Sequence, residues 1–171
     1  MKIHSRHLHA PLCGIFGPHS VNVVLHYASL IRAKSPTNCD AHLTESNFQT
    51  RSSVCDVSAY YEEGVFYVTT SAKSNKMKQI AQNKEVAFSV CFEGIYGHGI
   101  GENLGWVLEP KSAVLRTKLR EVFADWYDDA NNEQDENCVI LAIRITSATI
   151  FRDHGVVRYK LDFVNKVEVE S

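Results

Sequence analysis

From Asp56 onward, runs of strand-forming residues follow one another with connections mostly too short for parallel crossovers. Val57–Tyr61 is rich in strand formers, Glu62-Glu63-Gly64 supplies a turn, and Val65-Phe66-Tyr67-Val68-Thr69-Thr70 continues as the second strand of a hairpin. Val86–Phe92 reads as a buried strand and Gly94 to Gly105 as a glycine-dense strand with a loop. Cys138–Thr146, Thr149–Asp153 and Val156–Val164 follow, the last two joined by a turn at His154-Gly155. Two helices interrupt the strands. Ser71 to Asn83 is short, with Ser71 or Ser74 as its cap and Met77, Ile80 and Ala81 on one face. Ser112 to Tyr127 aligns Leu115, Leu119, Val122, Phe123 and Trp126 opposite Arg116, Lys118, Arg120 and Asp125. The fold class that accommodates this order is mainly β: an antiparallel β-barrel with a few α-helices.

Upstream of that pattern the chain changes character. Residues 1–55 hold six of the eight histidines, with five basic against two acidic residues; residues 56–171 hold thirteen basic against eighteen acidic. Val21–Leu25 is the best strand candidate in the first segment, and Ser46–Ser53 is polar and structureless by pattern. The whole chain, 171 residues with net charge −2 and 44% hydrophobic residues, suits one compact domain. That balance lacks the basic excess of a nucleic-acid binder or a binder of anionic membranes. The apolar stretch from Leu12 to Ile31 is broken by Gly14, Gly17, Pro18, His19 and His26, so it reads as neither a spanning helix nor a secretory signal. Five cysteines at irregular spacings (13, 39, 55, 91 and 138) imply reduced thiols and a cytoplasmic location.

The most informative chemistry lies in Thr69-Thr70-Ser71-Ala72-Lys73-Ser74-Asn75-Lys76-Met77-Lys78. A strand ending in hydroxyl residues runs into a helix start that carries lysines, and free N–H groups there favour a phosphate. Thr70 and Ser74 add hydroxyls and Lys76 a charge; a capped surface helix with solvated lysines explains the same residues without a ligand. Gly97-His98-Gly99-Ile100-Gly101 strips one strand face of side chains, open either to a flat ring or to a neighbouring backbone. The spacing does not fit a dinucleotide fingerprint. His98 is a general acid or base only if a partner lies near it in space. His4, His7, His9 and Cys13 lack a second ligand pair at zinc-finger spacing, so no metal is expected. The acidic run Asp125–Glu136 reads as a solvated helix end and loop. No nucleophile elbow or paired cysteine motif is present.

Val57-Ser58 through Gly64-Val65-Phe66-Tyr67-Val68-Thr69-Thr70, then Ser74-x-Lys76-x-x-Gln79-Ile80-x-x-Asn83-x-x-Val86, resembles the pyridoxamine 5′-phosphate oxidase-like family of FMN-binding split barrels. Leu119-Arg120 to Trp126-Tyr127, Cys138 to Ile143, and Tyr159-x-Leu161-Asp162-Phe163 extend the likeness over about residues 56–166, leaving 167–171 as a tail. The resemblance implies a homodimeric, six-stranded antiparallel split barrel with FMN in a groove at the dimer interface. It implies cofactor contacts from Thr69, Thr70, Ser74, Asn75 and Lys76. Many members carry arginine where this chain has Asn75, which shifts the charge to Lys73 or Lys76. The family also places an arginine near the position of Cys55; here the nearest is Arg51. Everything upstream fails to match, which implies that residues 1–55 are an altered reading, such as a frameshifted start, in place of the family's first helix and strand. If the segment is genuine, Val21–Leu25 stands in as that strand.

The functional expectation is an FMN-dependent oxidoreductase acting on a small molecule, with NAD(P)H as electron donor. Three other outcomes stay open: a flavin-binding stress protein without turnover; another flat cofactor, haem or deazaflavin, on the same barrel; and a defective product whose barrel cannot close.

Overall fold

The computed structural model describes residues 2–4, 20–32, 48–90 and 93–170, with the backbone alone for 2–4, 20–32 and 48–52. The strands are β1 (Lys2–His4), β2 (Ser20–Arg32), β3 (Phe48–Glu62), β4 (Val65–Ser71), β5 (Glu85–Val90), β6 (Ile95–Trp106), β7 (Cys138–Arg152), β8 (Val157–Asp162) and β9 (Val167–Glu170). The helices are α1 (Asn75–Gln82), α2 (Ala113–Val122) and α3 (Tyr127–Ala130). The sheet runs β1-β9-β8-β7-β4-β3-β2-β5-β6, and β6 pairs back onto β7. Six strands therefore form a closed antiparallel ring, and β8, β9 and β1 extend from it as a flap.

Alternation fills the ring. Val57, Ala59 and Tyr61 of β3, Phe66 and Val68 of β4, Val86 and Phe88 of β5, and Leu141 and Ile143 of β7 join one interior cluster, into which α1 presses Met77 and Ile80. A second cluster lies outside the ring, where Leu119, Phe123 and Tyr127 cover Tyr60, Val107, Cys138 and Ile140. Leu119 is fully buried there, so Leu119→Ala is expected to cost about 2–5 kcal/mol, read as a lower denaturant midpoint.

Four expectations from the sequence change. Cys138–Thr146 and Thr149–Asp153 are one strand. His98 pairs with Ser147 and Gly99 with Ile145, so Thr146 is the extra residue of a β-bulge. Across that bulge β7 changes neighbours, from β4 over Cys138–Arg144 to β8 over Ser147–Arg152. Residues 48–53, read as structureless, begin β3, whose ladder to β2 is a feature that hydropathy does not register. Residues 167–170, read as a tail, form β9 between β8 and β1. The helix expected to reach Tyr127 stops at Phe123, whose backbone leaves helical geometry; a turn then carries Trp126 outward and Tyr127 inward.

Val21–Leu25 lies within β2, paired to β3 on one side and β5 on the other. The expected strand β5 ends at Val90; Cys91 and Phe92 lie outside the described residues, as do Cys13, Cys39, His7 and His9.

Candidate functional site

Along β4 the side chains alternate, so Phe66, Val68 and Thr70 share one face while Tyr67, Thr69 and Ser71 share the other. The strand ends at Ser71 and a tight turn follows. Ser74 N–H donates to the Ser71 carbonyl at 3.0 Å and Lys73 N–H to the Ser71 hydroxyl at 3.3 Å. Ser74 then caps α1, its hydroxyl accepting from Met77 N–H at 3.4 Å. Lys78 N–H donates to the Ser74 carbonyl, which leaves the Asn75 and Lys76 N–H groups without intrahelical acceptors. No acidic residue occupies the first turn. Lys76 Nζ donates to Thr70 Oγ1 at 3.3 Å, so the helix start, one hydroxyl and one ammonium converge. Asn75 is exposed beside them.

Thr69 does not join this group. Its Oγ1 is fully enclosed and neighbours the Tyr127 hydroxyl, which is enclosed as well. Burial pushes the Tyr127 hydroxyl up to about 12; the neighbouring Thr69 hydroxyl opposes that rise and Glu133 adds to it. A cavity of about 240 Å³ opens at the end of β4, lined by Thr69, Thr70, Ser71, Trp126, Asn131 and Asp135 among others. A larger one of about 470 Å³ lies between α1 and β6, floored by Met77, Ile80 and Gly101 and rimmed by Lys78, Lys84 and Glu102.

The bare face of Gly97, Gly99 and Gly101 packs against the protein's own atoms. All three are buried, and a Cβ at each would strike β7 at Gly97 and Gly99 or Ile80 at Gly101. Of the two uses of such a face, close approach of a neighbouring backbone holds at Gly97 and Gly99, whereas at Gly101 the neighbour is the Ile80 side chain, on the floor of the larger cavity. Tyr96, His98, Ile100 and Glu102 occupy the exposed face instead.

Where the family carries an arginine, Cys55 is half-buried against the interior cluster, and Ser53 Oγ accepts from Gln79 Nε2 at 2.8 Å. Among the described residues no group of three His, Cys, Asp or Glu could hold a metal ion. No helix among them is long and apolar enough to cross a membrane.

Sequence reasoning missed Glu133. Instead of lying in a solvated acidic loop, its side chain is only 10% exposed and accepts Arg116 Nε at 2.7 Å and Arg116 Nη2 at 2.5 Å. Arg120 Nη1 reaches it at 3.0 Å. The signal available was two arginines four apart on α2, one helical turn, facing a run of acids. The Arg116 hydrogen bonds hold the Glu133 carboxyl below its ordinary value despite burial, and the charges of Arg116 and Arg120 add to the effect. A depressed folded-state value gives stability that is present at neutral pH and lost as pH falls through that value. The melting temperature is therefore expected to drop as pH is lowered from about 7 to 3, and to drop less steeply, from a lower start, in Glu133→Gln.

A family model described as "Family of unknown function (DUF6783)" matches residues 1–60. No curated protein matches the chain. An FMN-binding, pyridoxamine 5′-phosphate oxidase-related protein from Nostoc punctiforme superposes with a TM-score of 0.56 at 10% identity, covering 88% of this chain and 85% of that one. A FAD-binding protein from Mesorhizobium loti gives 0.53 at 16% identity, covering 86% and 96%. An F420 reductase gives 0.50 at 17%, covering 77% and 90%. The fold is thus the split barrel of pyridoxamine 5′-phosphate oxidase-like proteins.

Proposed function

We propose that this chain binds FMN at the seam between β4 and α1 and works as a flavin-dependent oxidoreductase on a small molecule. The observation that carries the reading is the Lys76 ammonium beside the Thr70 hydroxyl, at a capped helix start free of acidic residues. An oxyanion fits this donor set: Lys76 supplies charge, Thr70 and Ser74 hydroxyls, and Asn75 and Lys76 backbone N–H groups. Asn75 and Lys73 flank it and supplement the charge and donors. Thr69, on the opposite face of β4, lies beside Tyr127 and with Thr70 lines the cavity at the strand end, from which it would contribute to the cofactor site. Bound FMN would supply the redox chemistry, with NAD(P)H as donor; the chain's own residues anchor and orient it.

A homodimer belongs to the same reading, as does a cytoplasmic location. Residues 56–166 are then the flavin-binding body, and 1–55 an atypical segment. The family likeness of residues 1–60, which ends close to the change in composition, supports that division. Recovery of the same N-terminus from native protein would show it to be a genuine part of the chain, and its absence there would show an altered reading.

A second reading, flavin binding without turnover, is favoured by one observation. The residues lining the cavity at the strand end include one acid, Asp135, whose Oδ1 already accepts the Asn137 N–H at 2.9 Å and its side-chain amide at 2.6 Å, and no histidine. Titration with FMN and riboflavin, followed by addition of NADH or NADPH and candidate acceptors, tests both. FMN preferred over riboflavin and reduced on addition of donor supports the oxidoreductase; preference without reduction supports the second reading. Equal or absent binding of the two flavins overturns the phosphate site.

A further inference from the structure

We infer that Glu133 is a positioning residue that latches the turn between β4 and α1, acting from a distance on the seam proposed above. The chain of contacts begins on α2, whose Arg116 and Arg120 grip the Glu133 carboxylate. Trp106 Nε1 donates to the Glu133 carbonyl at 2.8 Å, so backbone and side chain of this residue are both fixed. Four residues on, Asn137 is folded in place by Asp135, which accepts its N–H at 2.9 Å and its side-chain amide at 2.6 Å. The Asn137 carbonyl then accepts Ala72 N–H at 2.7 Å. Ala72 is the first residue of the turn between Ser71 and Ser74.

Loops of acidic residues are ordinarily free to move because solvent serves them as well as protein does. This one is tied at Glu133 and again at Asn137, and between those ties it forms part of the wall of the cavity at the strand end. Two arginines around one mostly buried carboxylate make the first tie stiff, since charge-assisted and bidentate bonds resist geometric change. Ala72, held by the second, sets where Ser74 stands and therefore where α1 starts. The latch makes no contact with a ligand; it limits how far the Thr70–Lys76 group can spread. The functional half of this inference rests on the proposed phosphate seam, while the mechanical half does not.

Amide hydrogen exchange on the full chain without flavin tests the mechanical half. In Glu133→Gln the exchange rate at Ala72 is expected to rise about tenfold, with that at Ile80 inside α1 changing less than about twofold. Unchanged exchange at Ala72, or a rise matched at Ile80 as in general loosening, overturns the latch. Arg116→Lys keeps the charge but loses the paired geometry, and serves if Glu133→Gln fails to fold; the same pattern is expected with smaller amplitude. For the functional half, the ratio of riboflavin to FMN dissociation constants is expected to fall at least about threefold in either variant, and a ratio equal to wild type overturns it. A wild-type chain that binds both flavins equally overturns the phosphate seam and this functional half with it, while exchange at Ala72 still judges the latch.

Discussion

Gly97→Ala is expected to abolish the closed barrel, a loss greater than about 4 kcal/mol. A Cβ at this position would sit 2.1 Å from the Ser147 carbonyl oxygen and 2.9 Å from both Ala148 Cα and Phe88 Cζ. Two of these three atoms belong to backbone and cannot rotate aside. They also belong to the β6–β7 ladder, the pairing that closes the ring, so relief of the overlap requires that ladder to part. Gly155→Ala is the matched control. Nothing lies within 4 Å of its added carbon, and only its positive φ of 90° resists the change. A cost of about 1 kcal/mol is expected there. Urea unfolding followed by circular dichroism measures both. A Gly97→Ala midpoint near that of wild type would mean that β6 and β7 are not packed this closely.

The second large effect concerns the ligand. Thr70→Ala combined with Lys76→Ala should weaken FMN binding by roughly two to four orders of magnitude, since each charge-assisted bond to a phosphate is worth about 1.5–3 kcal/mol. Riboflavin has no phosphate, so its affinity should stay within about threefold. The wild-type preference for FMN should also shrink as salt is added, because one partner of the contact is a half-exposed lysine. Fluorescence titration of both flavins at two ionic strengths reads all of this. Parallel losses for FMN and riboflavin would place the anion elsewhere on the barrel.

Much of this site could be read from sequence because it is local. A cap, a hydroxyl one residue before the end of its strand and a lysine in the first helical turn lie within seven residues, Thr70 to Lys76. What could not be read depends on distant chain. Ser147-Ala148 looks like a break between strands until β6 pairs across it, with Thr146 beside it as the extra residue of the bulge. Gln49 to Ser53 carries no apolar alternation, and its extended form comes from pairing with β2. The glycine alternation at 97, 99 and 101 announces close approach but does not say of what; Ser147, Arg144 and Ile80 answer only once the ring is closed. Glu133 sits in a run of acids that is indistinguishable, residue by residue, from a solvated tail. Its burial needs two arginines on a helix that begins twenty residues earlier. Thr69 and Thr70 are adjacent and chemically alike, and the pleat alone sends them to different company.

β2 stands between β3 and β5, and its residues come from the part of the chain least like the rest. A fragment cut at Asp56 would keep every group that the proposed anion site requires. It would also be a cask with a missing stave, its two raw margins offering unmet N–H and C=O groups to any extended peptide nearby. Fibre or swapped oligomer, rather than loss of the seam, is the fate that such a fragment invites.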